Sequence, residues 1–388
     1  PSELRVDNIN STTSPYDPVF STTGGALSHR NMIINGAMQV AQRGTSATTN
    51  GFGTVDRFSI NYSGLDAAPT QAQHALTSSD TGPYEEGFRS SFHITNANQT
   101  SGAGTADRII IPHLIEAQDI ANFGWNYTST SSYITLSFWC KSSVAQNFYG
   151  RLQTSDGTAQ NYAFETGSLS ANTWTKITKT IPGNSNLQFD DNNAVGLTIE
   201  FNLFRGTDTT GSVTLNAWGA YNSSARVPDM TSTWYTTNNA TWEITGVQLE
   251  KGQVATPFEH RSYGDELERC FRYYQRNVGV TKVFPLVNLS TTSLSSWISF
   301  YKKMRTQPSD VGIVGSAINT SGGSVSTDRW AIYHNGSWRG CSSISVVASD
   351  SSDFGMRLDC GVNDSVTGGG CSGLYGGSSC GWYSEAEL

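Results

Sequence analysis

Residues able to do chemistry are sparse in this 388-residue chain and dispersed along it. Glycoside hydrolysis needs two carboxylates roughly 5–10 Å apart across a sugar. The paired acids Asp190-Asp191 and Glu85-Glu86 each fall in polar, turn-forming sequence, where solvation accounts for them equally well. The six histidines (His29, His74, His93, His113, His260 and His334) stand singly, and no GxSxG elbow accompanies them. Asp156, Asp190, Asp191 and Asp208 lie in loop sequence that allows a Ca2+ ion, although none shows EF-hand spacing. Cys341, Cys360, Cys371 and Cys380 crowd the C-terminal end without CxxC spacing, which disfavours zinc and leaves late disulfides open with no pairing assigned. The residues therefore point to binding without catalysis, and no metal or cofactor is expected beyond that Ca2+ option.

What the sequence offers in quantity is aromatic surface. Ten Trp, 16 Tyr and 17 Phe are set among abundant Gly, Ser, Thr and Asn. Sugar rings are bound by exposed aromatic faces with polar neighbours. In the C-terminal stretch Trp338, Tyr375, Tyr333 and Trp382 are the candidates for such contact, while Trp330 sits in strand-like sequence that suits a core. The competing reading is that these rings fill small cores or subunit contacts. A net charge of −8 without a basic run argues against nucleic acid as a partner. No apolar run approaches the ~20 residues that span a bilayer, and neither a basic start nor an apolar core marks a signal peptide.

The elements that must hold these residues are mostly strands. Ser132–Lys141 places Ile134, Leu136, Phe138 and Cys140 on one face, and Gly196–Phe204 does the same with Leu197, Ile199, Phe201 and Leu203. Further strands are expected at 56–62, 88–94, 108–114, 148–154 and 173–181, with a short helix within 116–124. This spacing predicts an all-β fold, a jelly-roll-like β-sandwich over 29–260. Trp242–Leu249 reads as a buried strand whose phase is restored by a bulge at Gly246. An amphipathic linking helix is predicted within 261–277, with Ser262 as N-cap and Asp265 in a capping box. Its stripe Leu267, Cys270, Phe271 and Tyr274 must pack on its own domain or on copies of itself. Residues 278–388 form a second, smaller β-sandwich, with a hairpin turning at Asn335-Gly336 and a tail from 361 to 382 in extended loops. Residues 1–28 are a polar lead in which only Leu4, Val6 and Ile9 suggest a strand, laid against its own domain or held by a neighbour.

The run Gly246–Tyr274 resembles a segment that recurs in tail-fibre and related appendage proteins of bacteriophages, many of them phages of marine bacteria including cyanophages. Asn31–Ser46 followed by Thr54–Phe58 resembles the opening of that family, and the ending Ser384–Leu388 (SEAEL) matches its closing residues loosely. The resemblance implies a protein made in the host cytoplasm and carried on the virion tail. In it, 1–28 is an extended arm that docks through Leu4, Val6 and Ile9 onto other virion proteins. It further implies a homotrimer with Leu267, Phe271 and Tyr274 at the subunit interface. The C-terminal β domain would then face a host surface polysaccharide or lipopolysaccharide. The rivals are a structural virion component, such as a head decoration or tail adaptor, and a glycan depolymerase.

Overall fold

Strand alternation around a single bulge sets the centre of the molecule. The computed structural model describes residues 29–278, 282–317, 329–335, 337–362, 366, 372–377 and 379–388; the proposed docking residues Leu4, Val6 and Ile9 lie outside them. The chain is nearly all β. The first sandwich comprises β1 (Ser46–Ala47), β2 (Asn61–Ser63), β3 (Thr70–Ala75), β4 (Ser90–Thr95), β5 (Arg108–Glu116), β6 (Tyr133–Ser142), β7 (Asn147–Thr154), β8 (Gln160–Ser168), β9 (Thr175–Pro182), β10 (Val195–Arg205), β11 (Trp218–Ala220) and β12 (Thr241–Lys251). One sheet runs β1-β3-β4-β12-β6-β9 and faces another that runs β11-β8-β7-β10-β5-β2. The inward faces of β6 and β10 are those read from the sequence, and they pack with Trp242, Ile244, Val247 and Leu249 of β12.

The bulge in β12 lies where the phase break placed it. Thr245 pairs with Trp139 but Gln248 pairs with Ser137, so one extra residue is absorbed, and Gly246 takes φ 63°. The offset frees backbone groups for the segment 31–36: the Val247 amide donates to the Gly36 carbonyl (3.0 Å) and the Met32 amide to the Leu249 carbonyl (2.9 Å). Asn31 braces the same place, its Oδ1 accepting from the Leu249 amide at 3.1 Å. A Cβ on Gly36 would stand 2.1 Å from the Val247 carbonyl oxygen. Gly36→Ala is therefore expected to cost about 1–3 kcal/mol through forced backbone movement, read as a lowered urea midpoint with an unchanged m-value.

Three sequence expectations change here. Residues 56–60 are not a strand: Arg57 takes φ 68°, and only Asn61–Ser63 joins the sheet. The helix α3 (after α1, Ala117–Ala121, and α2, Thr233–Thr236) spans Tyr263–Cys270 and stops there. Ser262 caps it as read, with the Asp265 amide donating to Ser262 Oγ at 3.2 Å. The Asp265 carboxylate accepts from that same hydroxyl at 2.7 Å, in place of the backbone amide of a full capping box. Beyond Phe271 the chain turns, and Tyr274 opens the strand β13 (Tyr274–Val278). Pairing with the C-terminal strand outweighs the helical periodicity there. Tyr274 is therefore buried, with the Arg43 guanidinium 3.7 Å over its ring, and does not continue a helical stripe. Leu267 and Phe271 stay partly exposed beside Tyr263 and Val278.

The second β unit continues with β14 (Lys282–Asn288), β15 (Ser293–Ser299), β16 (Asp310–Val314), β17 (Ser316–Ala317), β18 (Arg329–His334), β19 (Ser337–Arg339), β20 (Cys341–Val347), β21 (Gly355–Val362), β22 (Ser372–Gly376) and β23 (Gly381–Glu385). A large sheet β17-β18-β22-β14-β15-β21-β20 shares a core with the small sheet β13-β23-β16. The expected hairpin pairs His334 with Ser337, while Gly336 of its expected turn lies outside the described residues. Within the stretch expected to be loops, β22 and β23 are regular strands. Cys341 and Cys360 are buried thiols in this core, and Cys371 lies outside the described residues.

Residues from 43–57, 272–273 and 385–387 meet where the two β units join. Arg57 Nη1 donates to Glu387 Oε2, Arg57 Nη2 to the Leu114 carbonyl (2.6 Å), and its guanidinium lies 3.5 Å over the Tyr273 ring. Arg43 Nη2 reaches Glu387 Oε1 at 3.2 Å and Glu385 Oε2 at 3.3 Å. Arg272 clasps Glu116 through two bonds of 2.7 and 2.6 Å, and Tyr273 Oη donates to the same carboxylate at 2.6 Å. Burial opposes the charge on Arg57, but Glu387 beside it more than offsets this and raises its pKa.

Candidate functional site

Strand register brings three of the four predicted aromatic residues together on the outer face of the large sheet. Tyr333 on β18 sits directly across from Trp338 on β19, and Tyr375 on β22 lies opposite Ala331, two residues along from Tyr333's partner Gly373. Ring centroids are 5.0 Å apart for Tyr333 and Trp338, 5.1 Å for Trp338 and Tyr375, and 6.1 Å for Tyr333 and Tyr375. The interplanar angles of 66°, 75° and 72° make this an edge-to-face corner. All three rings are half-buried, so each is fixed yet keeps open surface. Beneath the sheet, His334 Nδ1 and Ser372 Oγ share a bond of 2.6 Å and anchor the hairpin base.

The fourth candidate belongs elsewhere. Trp382 is only 1% exposed and packs between Phe300 and Tyr301 in the second core. On β23 it alternates inward, because its neighbour Tyr383 takes the outer position. It is a core residue and offers no surface to a ligand. Trp330 is likewise buried, as its strand setting indicated, with Nε1 donating to the Val314 carbonyl at 2.9 Å.

The same outer face carries residues that the sequence did not single out. Val283 (55% exposed) is opposite Tyr375, Val287 (67%) is opposite Ser295, and Trp297 (50%) stands two residues along the same strand. Polar groups adjoin them: Arg357, opposite Trp297, binds Asp359 through Nε and Nη2 at 2.9 Å each and Asp350 through Nη1 at 2.6 Å. Hydrogen bonding to Asp359 and then Asp350 raises the Arg357 pKa. The period-two alternation Ser293, Ser295, Trp297 was the available signal for this face.

The four loop aspartates considered for Ca2+ do not converge. Asp156 Oδ2 accepts from the Asp190 amide at 2.9 Å and Asp191 Oδ1 from Asn122 at 2.8 Å, while Asp208 bonds Thr105 at the other end of the sheet. Among the described residues, the group of three metal-capable side chains that does gather is His74, His93 and Glu243. Those histidines are isolated in sequence, but β3 and β4 pair so as to bring the rings within 5.0 Å.

The sequence matches no protein-family profile and no curated protein. Among solved structures, the chain is similar to the enzymatically active domain of tailspike protein 4 of bacteriophage CBA120, with 12% identity and a TM-score of 0.29, covering 57% of this chain and 21% of that one. A putative sugar-binding protein from Bacteroides thetaiotaomicron shows 12% identity and a TM-score of 0.29, covering 57% of this chain and all of that one. The N-terminal cellulose-binding domain of a Cellulomonas fimi β-1,4-glucanase shows 8% identity and a TM-score of 0.27, covering 56% and 99%. These likenesses are distant, and the functional reading rests on the residues of this chain.

Proposed function

We propose that this chain is a carbohydrate-binding component of a bacteriophage tail appendage, which contacts host surface polysaccharide through the outer face of its C-terminal sheet. The observation that carries the reading is the corner formed by Tyr333, Trp338 and Tyr375, continuous with Val283 and flanked by Trp297 and the Arg357–Asp359 pair. A pyranose ring presents C–H patches that pack on aromatic faces, while its hydroxyls seek polar groups at the rim. Asp350 and Asp359 are both engaged by Arg357, which suits orientation of hydroxyls better than proton transfer. The reading is binding without cleavage.

Residues 1–28 are the proposed arm that joins other virion proteins, in line with the resemblance of the flanking segments to phage appendage proteins. Assembly as a homotrimer would use Leu267 and Phe271, which line an open groove with Tyr263 and Val278. Weak sites repeated on one particle gain useful avidity when the glycan can bridge them.

The test is adsorption of the purified full chain to host cells and to isolated polysaccharide. Trp338→Ala and Tyr375→Ala are each expected to weaken binding about tenfold, equivalent to ~1.4 kcal/mol. A chain that neither binds cells nor competes with phage adsorption overturns the proposal in favour of a structural virion role. Release of reducing ends from the polysaccharide would instead establish a depolymerase.

A further inference from the structure

We propose a transition-metal site on the outer face of the first sandwich, built by His74, His93 and Glu243 and selective for Zn2+ over Ca2+ or Mg2+. The three residues come from adjacent antiparallel strands. His93 on β4 is directly opposite Glu243 on β12, and His74 on β3 lies diagonally across, opposite Ser91. Their donor atoms all lie within 4.8 Å of one another. His74 Nδ1 is 3.1 Å from Glu243 Oε2, and His93 Nδ1 is 3.4 Å from Glu243 Oε1. Ligands about 2.0–2.1 Å from a tetrahedral ion stand about 3.3 Å apart, so the separation of His74 Nδ1 from Oε2 already suits one shared ion, and the His93 ring lies within 4.8 Å of both donors.

An independent observation marks the centre of the cluster. His93 Nδ1 is buried and makes no hydrogen bond among the described residues, although its other nitrogen is held by Thr95 Oγ1 at 3.0 Å. A ring fixed through one nitrogen, with the other buried and facing a carboxylate oxygen at 3.4 Å, is the arrangement that metal-binding histidines show. Glu243 is oriented in the same way: Ser91 Oγ donates to its Oε2 at 2.7 Å. His74 is half exposed, so the ring has room to turn and a water can complete the coordination.

Two imidazoles with one carboxylate are borderline ligands that favour Zn2+, whereas Ca2+ and Mg2+ take oxygen. Lys141 bears on the affinity. Its Nζ is 2.9 Å from Glu243 Oε1 and 3.0 Å from Asp80 Oδ1. The ion would therefore use Oε2 of the carboxylate, with Lys141 retained on the other oxygen, and nearby positive charge makes micromolar binding the expected strength. The consequence is a clamp that ties β3 and β4 to β12.

The experiment uses the full chain without an affinity tag, stripped with chelator and titrated by calorimetry with Zn2+, Ca2+ and Mg2+. One Zn2+ per chain is expected, with no heat from Ca2+ or Mg2+, and a Zn2+-dependent rise in thermal midpoint. The double variant His74→Gln/His93→Gln is expected to lose at least tenfold in Zn2+ affinity, whereas His260→Gln keeps wild-type binding. Should the double variant fold poorly, Co2+ loaded into wild-type protein decides: intense visible bands of a four-coordinate ion support the site. No stoichiometric Zn2+ binding by the wild type, or equal binding in the folded double variant, overturns the proposal and leaves the cluster as a polar contact between strands.

Discussion

Glu387→Ala is expected to destabilise the chain by about 3–5 kcal/mol. The carboxylate is 5% exposed and neutralises two guanidinium groups at once. Arg43 would keep Asp56 at 3.6 Å and Glu385 at 3.3 Å. Arg57 would keep only the Leu114 carbonyl and the face of Tyr273, leaving a buried charge without a counterion. That orphaned charge, more than the lost bond, sets the cost. The measurement is a double-mutant cycle by chemical denaturation with Glu387→Ala, Arg57→Met and the pair. Because removing both charges removes the orphan, the pair is expected to be more stable than Glu387→Ala alone. An additive result, or a single-variant cost below 1 kcal/mol, would refute this account of the junction.

The same variant reports on how the two β units are coupled. Arg305 also spans them, donating to the Asn193 carbonyl at 2.8 Å and to the Ala386 carbonyl at 3.0 Å. With Glu387 gone, unfolding of the C-terminal unit is expected to separate from that of the first sandwich as an earlier transition. Arg43, Arg57, Tyr273, Tyr274 and Glu387 thus build one buried junction. None of them lies on the proposed glycan face.

How much could be read beforehand follows from which signals are local. The alternation in β6 and β10, the bulge at Gly246, the Ser262 cap and the pairing of His334 with Ser337 are each dictated by a few neighbouring residues, and all appear as read. Tyr274 failed because its fate is set by β23, more than a hundred residues away, which captures 274–278 as a strand. Trp382 failed for a related reason: a Gly- and Ser-rich tail looks like loop until a partner strand fixes which side faces in. The grouping of Tyr333, Trp338 and Tyr375 was half legible, since the hairpin joins the first two locally, while the third arrives through pairing of β18 with β22. His74 and His93 show the limit, because register alone makes neighbours of residues that the sequence presents as strangers.

Glu200→Gln is the second change expected to cost several kcal/mol, and its pH dependence identifies the cause. Glu200 on β10 is buried and bonded by Arg151 Nε and Nη2 at 2.8 Å each and by Arg205 Nη2 at 2.8 Å. The segment 206–229 closes over this triad, with Asn161 bridging Arg151 to the Arg226 carbonyl. Burial opposes ionisation of Glu200, but Arg151 and then Arg205 pull its pKa down to about 2. A single carboxylate cannot satisfy two guanidiniums equally: Arg151, held by two bonds, is raised, while burial lowers Arg205. An acid depressed on folding contributes stability above its unfolded pKa of 4.5 and loses it as pH falls towards 2, an effect on the order of 3 kcal/mol. At pH 7 the variant leaves two buried cations uncompensated and should lose about 3–5 kcal/mol. Below pH 4.5 the wild type progressively gives up the same interaction, so the gap between the two proteins should narrow steadily. Denaturation of both proteins from pH 7 to pH 2 decides the matter. A gap that stays constant across that range would mean that Glu200 is not the group whose ionisation holds the 206–229 segment on the sheet.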